Sequence, residues 1–136
     1  MKVRYLVDTN VLLRFLSGQP VKQAEGARKL FEAAAVGEAT LDVSPVIVAE
    51  TLYTLISFYG IERKLAAENV AALLHRRGVK VRDNDQVFGA LERLQSSNVG
   101  FADAFLAAGA AAEAVPVASF DRDLEKFKDV KRFEPE

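Results

Sequence analysis

The sequence predicts an α/β fold, one domain over residues 1–136 with a mainly parallel central sheet and helices on both of its faces. Short β-branched runs alternate with longer runs that carry apolar residues at helical spacing, as in successive βαβ units. The chain has 136 residues, half of them hydrophobic, which is enough for a single core. No linker, repeat or low-complexity segment divides it.

The first elements follow from apolar runs and their spacing. VRYLV at 3–7 indicates a buried strand, because the strands of a parallel sheet are covered on both faces. Apolar residues at helical spacing predict helices at about 9–17 and 20–36. TLDV at 40–43 is a second possible strand.

The middle of the chain has clear start and stop signals. Ser44 followed by Pro45 begins a helix, since a hydroxyl N-cap and a proline at the first helical position are both favoured. This helix extends to Tyr59, before Gly60. The run ERKLAAENVAALLHRR then predicts a helix that ends at Gly78.

The last third repeats the alternation. VKVR at 79–82 predicts a short strand, and Asp83 can cap a helix that runs to about Ser97. A helix of small residues follows at 101–114. VPVAS is the next strand, and a short helix precedes a last possible strand near 130–133.

Composition excludes several classes of protein. The 18 basic and 19 acidic residues nearly cancel, so no strong net charge indicates a nucleic-acid or membrane partner. The absence of cysteine rules out disulfides and thiolate metal sites. The apolar segments are too short for a signal peptide or a bilayer span, so we expect a soluble cytoplasmic protein without a membrane partner.

Glu50 is the only charged residue in VIVAETLYTLISF, residues 46–58. Apolar side chains fall on every face of this predicted helix, which is typical of a buried helix. A buried carboxylate is costly unless a cation or hydrogen bonds compensate it. Glu50 therefore either forms an ion pair with an arginine or lysine or belongs to a functional site.

Other carboxylates occur where elements of a parallel sheet end or begin. Asp8 directly follows the first strand, Asp121 follows VPVASF with Asp123 two residues later, and Asp103 lies in the first turn of the small-residue helix. Ligands of such folds bind outside the carboxyl ends of the strands. Each aspartate can alternatively serve as a helix cap, which is a common role for this residue.

Taken together, the acids at 8, 50, 103 and 121 predict a metal site. Carboxylates packed within a few ångströms repel one another unless a cation lies between them. Mg²⁺ suits a site of few carboxylates with water and phosphate oxygens, and it can orient a water and hold a phosphodiester. His75, the one histidine, lies at a predicted helix C-terminus, where it is better placed to interact with the helix dipole.

These residues also carry a family resemblance over nearly the whole chain. VDTN after the first strand, the lone glutamate near position 50, FADAFLAA near position 100 and ASFDRDL after a late strand resemble the PIN domain. In length and motif order the chain is similar to the toxin ribonucleases of VapBC toxin–antitoxin pairs.

The resemblance implies a single PIN-like domain with the activity of a metal-dependent endoribonuclease, a hydrolase that cleaves RNA. It implies that Mg²⁺ or Mn²⁺ is held by four catalytic acids: Asp8, Glu50, Asp103 and Asp121. Thr9, Asn10 and Ser119 match positions that support the acids, and Asp123 matches an acid that is often present. The resemblance also implies a homodimer and a VapB-like antitoxin whose C-terminal segment lies across or near the acidic cleft.

Two other classes of function stay open from the residues alone. One is phosphoryl chemistry, although a haloacid-dehalogenase-like phosphatase needs an aspartate where Asn10 stands. The other is an interaction module without catalysis, in which the acids are caps and ion pairs. The basic segment HRRGVKVR at 75–82 could contact RNA phosphates or form a solvated helix end.

Overall fold

The computed structural model describes residues 2–136, which form six α-helices, one 3₁₀ helix and five short strands. None of the described helices is long and apolar enough to cross a membrane. The elements in chain order are β1 Val3–Leu6, α1 Thr9–Ser17, α2 Val21–Ala35, β2 Ala39–Val43, α3 Pro45–Ser57, α4 Arg63–Leu74, β3 Val79–Val81, α5 Asn84–Ser96, α6 Phe101–Glu113, β4 Val117–Ala118, the 3₁₀ helix Arg122–Lys126 and β5 Arg132–Phe133.

All five strands pair in parallel, as the alternation of elements predicts. Strands β1, β2 and β3 form one sheet in that order, and the register places Leu6 beside Asp42 and Asp42 beside Lys80. Strands β4 and β5 form a second, two-stranded sheet. The predicted α/β class is confirmed, whereas the division of the strands between two sheets is not specified by the sequence pattern.

The core is centred on β2, the middle strand of the larger sheet. Leu41 and Val43 of this strand are buried, and they belong to one continuous hydrophobic cluster with Val48 and Leu52 of α3. Helix α6 presents buried alanines to α5, and its Ala108 would lie only 3.1 Å from a Cβ added at Gly89. Small residues therefore allow α5 and α6 to pack closely, as expected from the alanine-rich sequence.

Strand β1 is exposed, contrary to the expectation that VRYLV is buried. Leu6 is 76% exposed, and Val3 and Tyr5 are also exposed, while Val7 just beyond the strand is buried. The reason is that β1 is an edge strand, paired only with β2. Apolar composition alone does not distinguish an edge strand from a central one.

The predicted start of α3 is confirmed in detail. Ser44 is the N-cap and its Oγ accepts a hydrogen bond from the backbone N–H of Ile47, while Pro45 occupies the first helical position. Asp83 does precede α5, but its side chain makes no capping bond and its backbone has φ of 54°. The expected capping role of Asp83 is therefore wrong.

Candidate active site

Asp8 and Glu50 are connected through Thr9 at the carboxyl end of β1. Asp8 is the N-cap of α1, and its Oδ1 accepts a hydrogen bond of 2.7 Å from the backbone N–H of Thr9. The buried Thr9 hydroxyl donates a hydrogen bond of 2.9 Å to Oε2 of Glu50. Thr9 thus holds one carboxylate through its backbone and the other through its side chain, which joins α1 to α3.

Glu50 itself is exposed, so the expectation that its charge is buried is wrong. It lies between Val46 and Tyr53 on an exposed stripe of α3, at the spacing of one helical face. Because the rest of this stripe is apolar, the sequence pattern resembles that of a buried helix. Within the described chain no salt bridge engages Glu50, which also excludes the alternative that it is held by an arginine or lysine.

Asp121 is oriented by its neighbours in the turn after β4. The Ser119 hydroxyl oxygen accepts a hydrogen bond of 3.0 Å from the backbone N–H of Asp121. Oδ1 of Asp121 in turn accepts a hydrogen bond of 2.8 Å from the backbone N–H of Asp123, so Asp121 is the N-cap of the 3₁₀ helix. Asp123 is exposed and lies 3.6 Å from the Lys126 ammonium. Ser119 and Asp123 therefore fix the direction of Asp121.

Asp103 lies at the start of α6 and Asn10 at the start of α1. Asp103 is half-buried in the first turn of α6, where Gly100 is the N-cap and no side chain makes a capping bond. Asp103 therefore makes no capping bond, while its place in the first turn agrees with the alternative that it interacts with the helix dipole. Asn10 faces a separate cavity of about 340 Å³ together with Gln23 of α2.

Hydrogen bonds join the acids in two pairs. Asp8 and Glu50 are linked through Thr9, Asp121 accepts a hydrogen bond from the backbone of Asp123, and no hydrogen bond in the described residues joins Asp103 to either pair. Within residues 2–136, no three acidic or histidine side chains lie close enough to hold one metal ion. Because β4, which precedes Asp121, pairs with β5 and not with β1, the two strand ends do not meet at one sheet edge. The site of four carboxylates stays a prediction.

The Asp8 and Glu50 pair nevertheless fits a hard divalent cation. No hydrogen bond from the described residues reaches Oδ2 of Asp8 or Oε1 of Glu50, while the second oxygen of each carboxylate is held in place. Mg²⁺ is commonly bound by one or two carboxylates together with water and phosphate oxygens. Asp8 and Glu50 are the residues that would hold such an ion.

A groove lies beside Asp8 on the larger sheet, and we call it the sheet groove. It has a volume of about 610 Å³ and is lined by residues of all three strands and by the start of α3. Its charged residues are Arg4, Asp8, Asp42, Lys80 and Arg82.

Sequence reasoning missed two residues of the sheet groove, Arg4 and Asp42. Nη2 of Arg4 lies 2.5 Å from Oδ2 of Asp42, while the buried Oδ1 of Asp42 has no hydrogen-bond partner in the described part of the chain. The sequence signal for this groove was Asp42, an acid within the predicted strand TLDV. A charged residue at one position of a strand indicates that the face to which it points is not fully covered.

Comparison with known proteins identifies the family. The sequence model of the PIN domain matches residues 5–130. No curated protein matches the chain. Among solved structures, VapBC2 from Rickettsia felis bound to a DNA fragment from their promoter is similar over 98% of each chain, with 15% identity and a TM-score of 0.37. This likeness is too weak to inform the site. The family match spans most of the sequence, and the chain therefore belongs to the PIN domain family.

Proposed function

We propose that the protein is a metal-dependent endoribonuclease that cleaves RNA phosphodiester bonds with a metal-activated water, and that it is the toxin of a toxin–antitoxin pair. Membership of the PIN domain family supports nuclease chemistry. The observation that carries the proposal is the Asp8–Thr9–Glu50 connection, which holds two carboxylates from different elements at one strand end.

Each residue of the connection has a distinct role. Asp8 and Glu50 would hold Mg²⁺ or Mn²⁺, and each has one carboxylate oxygen that accepts no hydrogen bond from the described residues. Thr9, which is buried, fixes their directions through its two hydrogen bonds. When bound, the ion lowers the pKa of a coordinated water and stabilises the negative charge that develops on the phosphodiester.

Asp103 and Asp121 are the remaining acids of the proposed site. Asp121 is already directed by Ser119 and Asp123, so its carboxylate needs little reorganisation to serve as a ligand. Asp103 carries a half-buried carboxylate without any internal hydrogen bond in the described residues, as expected of a group reserved for a ligand.

The proposed partners follow from the similarity to VapBC toxins. They are an RNA substrate, a cognate VapB-like antitoxin and a second copy of the chain in a homodimer. The proposed place of action is the cytoplasm. The proposed cleavage requires RNA and the metal ion but no antitoxin, so the ribonuclease activity can be tested without that partner.

The test is cleavage of single-stranded RNA by purified protein in Mg²⁺ or Mn²⁺ and in EDTA. We expect cleavage with the metal ions, none in EDTA, and a loss of at least about a hundredfold in Asp8→Asn and Glu50→Gln, because each removes a charged ligand. Glu68→Gln is the matched control, since Glu68 is an exposed carboxylate of α4 that is not among the proposed ligands. Undiminished activity in EDTA, or equal activity in Asp8→Asn, would contradict the proposal.

A further inference from the structure

The basic segment at 75–82 is divided by the structure into two functionally different parts. The ring of His75 stacks on Phe88 with centroids 4.1 Å apart, and the guanidinium of Arg76 lies 5.0 Å from the ring of Phe15. These two side chains therefore pack against aromatic rings of the fold. Lys80 and Arg82 instead line the sheet groove, beside Asp8.

The strand geometry brings Lys80 and Arg82 to the same face. They are two positions apart at β3 and just after it, and successive side chains of a strand point to opposite faces. The register places Lys80 beside Asp42, which faces the same groove. Val79 and Val81 pack against the core, and Val81 also borders the groove between the two cations.

The charges of the sheet groove are unevenly distributed. Arg4 and Asp42 form an ion pair and largely cancel each other. Lys80 and Arg82 are exposed, and no salt bridge within residues 2–136 engages either of them. The groove is therefore positive along β3 and negative at Asp8. The N-terminus of α3 at Ser44 adds partial positive charge to the same wall.

We propose that the sheet groove binds the sugar–phosphate backbone of single-stranded RNA, with Lys80 and Arg82 each contacting a phosphate that flanks the one cleaved at Asp8. This assignment rests on the proposed ribonuclease function. A positively charged groove that follows the backbone is the usual means of binding single strands without reading their sequence. Because neither Lys80 nor Arg82 has an ion-pair partner within residues 2–136, binding of a phosphate to either side chain breaks no ion pair.

The experiment measures binding of a fluorescein-labelled single-stranded RNA by fluorescence anisotropy in EDTA, where cleavage does not interfere. The double variant Lys80→Gln/Arg82→Gln is compared with Arg77→Gln/Lys128→Gln, which removes the same two residue types from exposed positions outside the groove. We expect the groove variant to raise Kd by at least about tenfold, and the control to change it less than about twofold.

Salt dependence gives a second readout. Loss of two phosphate contacts should make the slope of log K against log salt shallower by about 1.4, at about 0.7 for each phosphate of a single strand. Lys80→Arg/Arg82→Lys, which keeps both charges, should retain the wild-type slope. Equal melting temperatures of all variants establish that the groove change acts on binding and not on folding.

The outcomes separate this inference from the proposed function. If the groove and control variants weaken binding equally, or if neither does, the assignment of Lys80 and Arg82 is overturned while RNA cleavage by wild type can still stand. If wild type binds RNA through the groove yet does not cleave it in Mg²⁺ or Mn²⁺, the ribonuclease proposal fails and the groove assignment stands. If wild type does not bind RNA, both are overturned.

Discussion

Thr9 is the residue on which the geometry of the candidate site depends most directly. Its backbone N–H and its hydroxyl bind two different carboxylates, and only a short hydroxyl side chain can do both from a buried position. The sequence pattern identified Asp8 and Glu50 as candidate ligands, and the similarity to the PIN domain added Thr9. It did not indicate that Thr9 bonds Glu50, because that contact joins positions 41 residues apart.

Replacement of Asp103 by asparagine tests its place in the proposed metal site. We expect the variant in EDTA to melt at the wild-type temperature or higher, because a neutral amide removes repulsion among carboxylates. Its stabilisation by Mg²⁺ should be smaller than the wild-type value, which is about 2.7 kcal/mol when the free ion is at a hundred times Kd. Thermal melts with Mg²⁺ and with EDTA measure both quantities.

Asp85→Asn is the matched control for this comparison. Asp85 lies in the first turn of α5, as Asp103 does in α6, so both have the same relation to a helix dipole. The control should keep the full response to Mg²⁺. A full response in Asp103→Asn as well would remove Asp103 from the site.

At the level of elements, Gly78 lies where both the backbone conformation and the lack of space for a side chain favour glycine. It connects α4 to β3 with φ of +87°, and a Cβ at this position would lie 2.4 Å from the carbonyl oxygen of Ala34. Gly37, between α2 and β2, has nearly the same φ of +86° but no atom within 4 Å of an added Cβ. The pair separates the cost of the backbone conformation from the cost of a steric clash.

We therefore predict different losses of stability for the two alanine variants. Gly37→Ala should cost about 1–2 kcal/mol, the usual cost of a left-handed conformation in a residue with a Cβ. Gly78→Ala should cost about 1–3 kcal/mol more, because the end of α2 must also move away from the new methyl group. Urea unfolding measures both free energies. Equal losses would show that the end of α2 moves away from the new methyl group without a further loss in the free energy of unfolding.

The helices and the parallel direction of the strands were predictable from the sequence, whereas the partner of each strand was not. Caps and apolar spacing are local, so Ser44 and Pro45 gave the start of α3 correctly. The partner of a strand depends on residues far away in the chain. Neither the exposure of β1 nor the pairing of β4 with β5 has a local signal in the sequence.

At the level of the whole molecule, the Arg93 and Asp129 pair attaches the C-terminal segment to α5. The guanidinium donates hydrogen bonds of 2.9 and 2.6 Å to the two carboxylate oxygens, and it also lies 4.9 Å from the ring of Phe127. Hydrogen bonding to Arg93 lowers the pKa of Asp129 below its ordinary value of 3.8. Folding therefore favours the ionised carboxylate.

This pair predicts a stability that depends on pH. A carboxyl group whose pKa is lower in the folded state stabilises the fold above its unfolded pKa, and the contribution disappears as the pH falls through the folded value. Asp129→Asn should therefore lower the melting temperature near neutral pH, by an amount that shrinks as the pH falls below 3.8. Glu68→Gln serves as a control without an ion pair. A difference that is constant with pH would contradict the prediction.

The separation of the two sheets has a mechanical consequence. No backbone hydrogen bond in residues 2–136 connects β1–β3 with β4–β5, so no strand pairing fixes the spacing between Asp8 and Asp121. That spacing depends on side-chain packing in the hydrophobic core, to which the buried Leu124, three residues after Asp121, belongs. A substitution that changes the volume of a core side chain such as Leu124 is therefore expected to change the distance between the two acids.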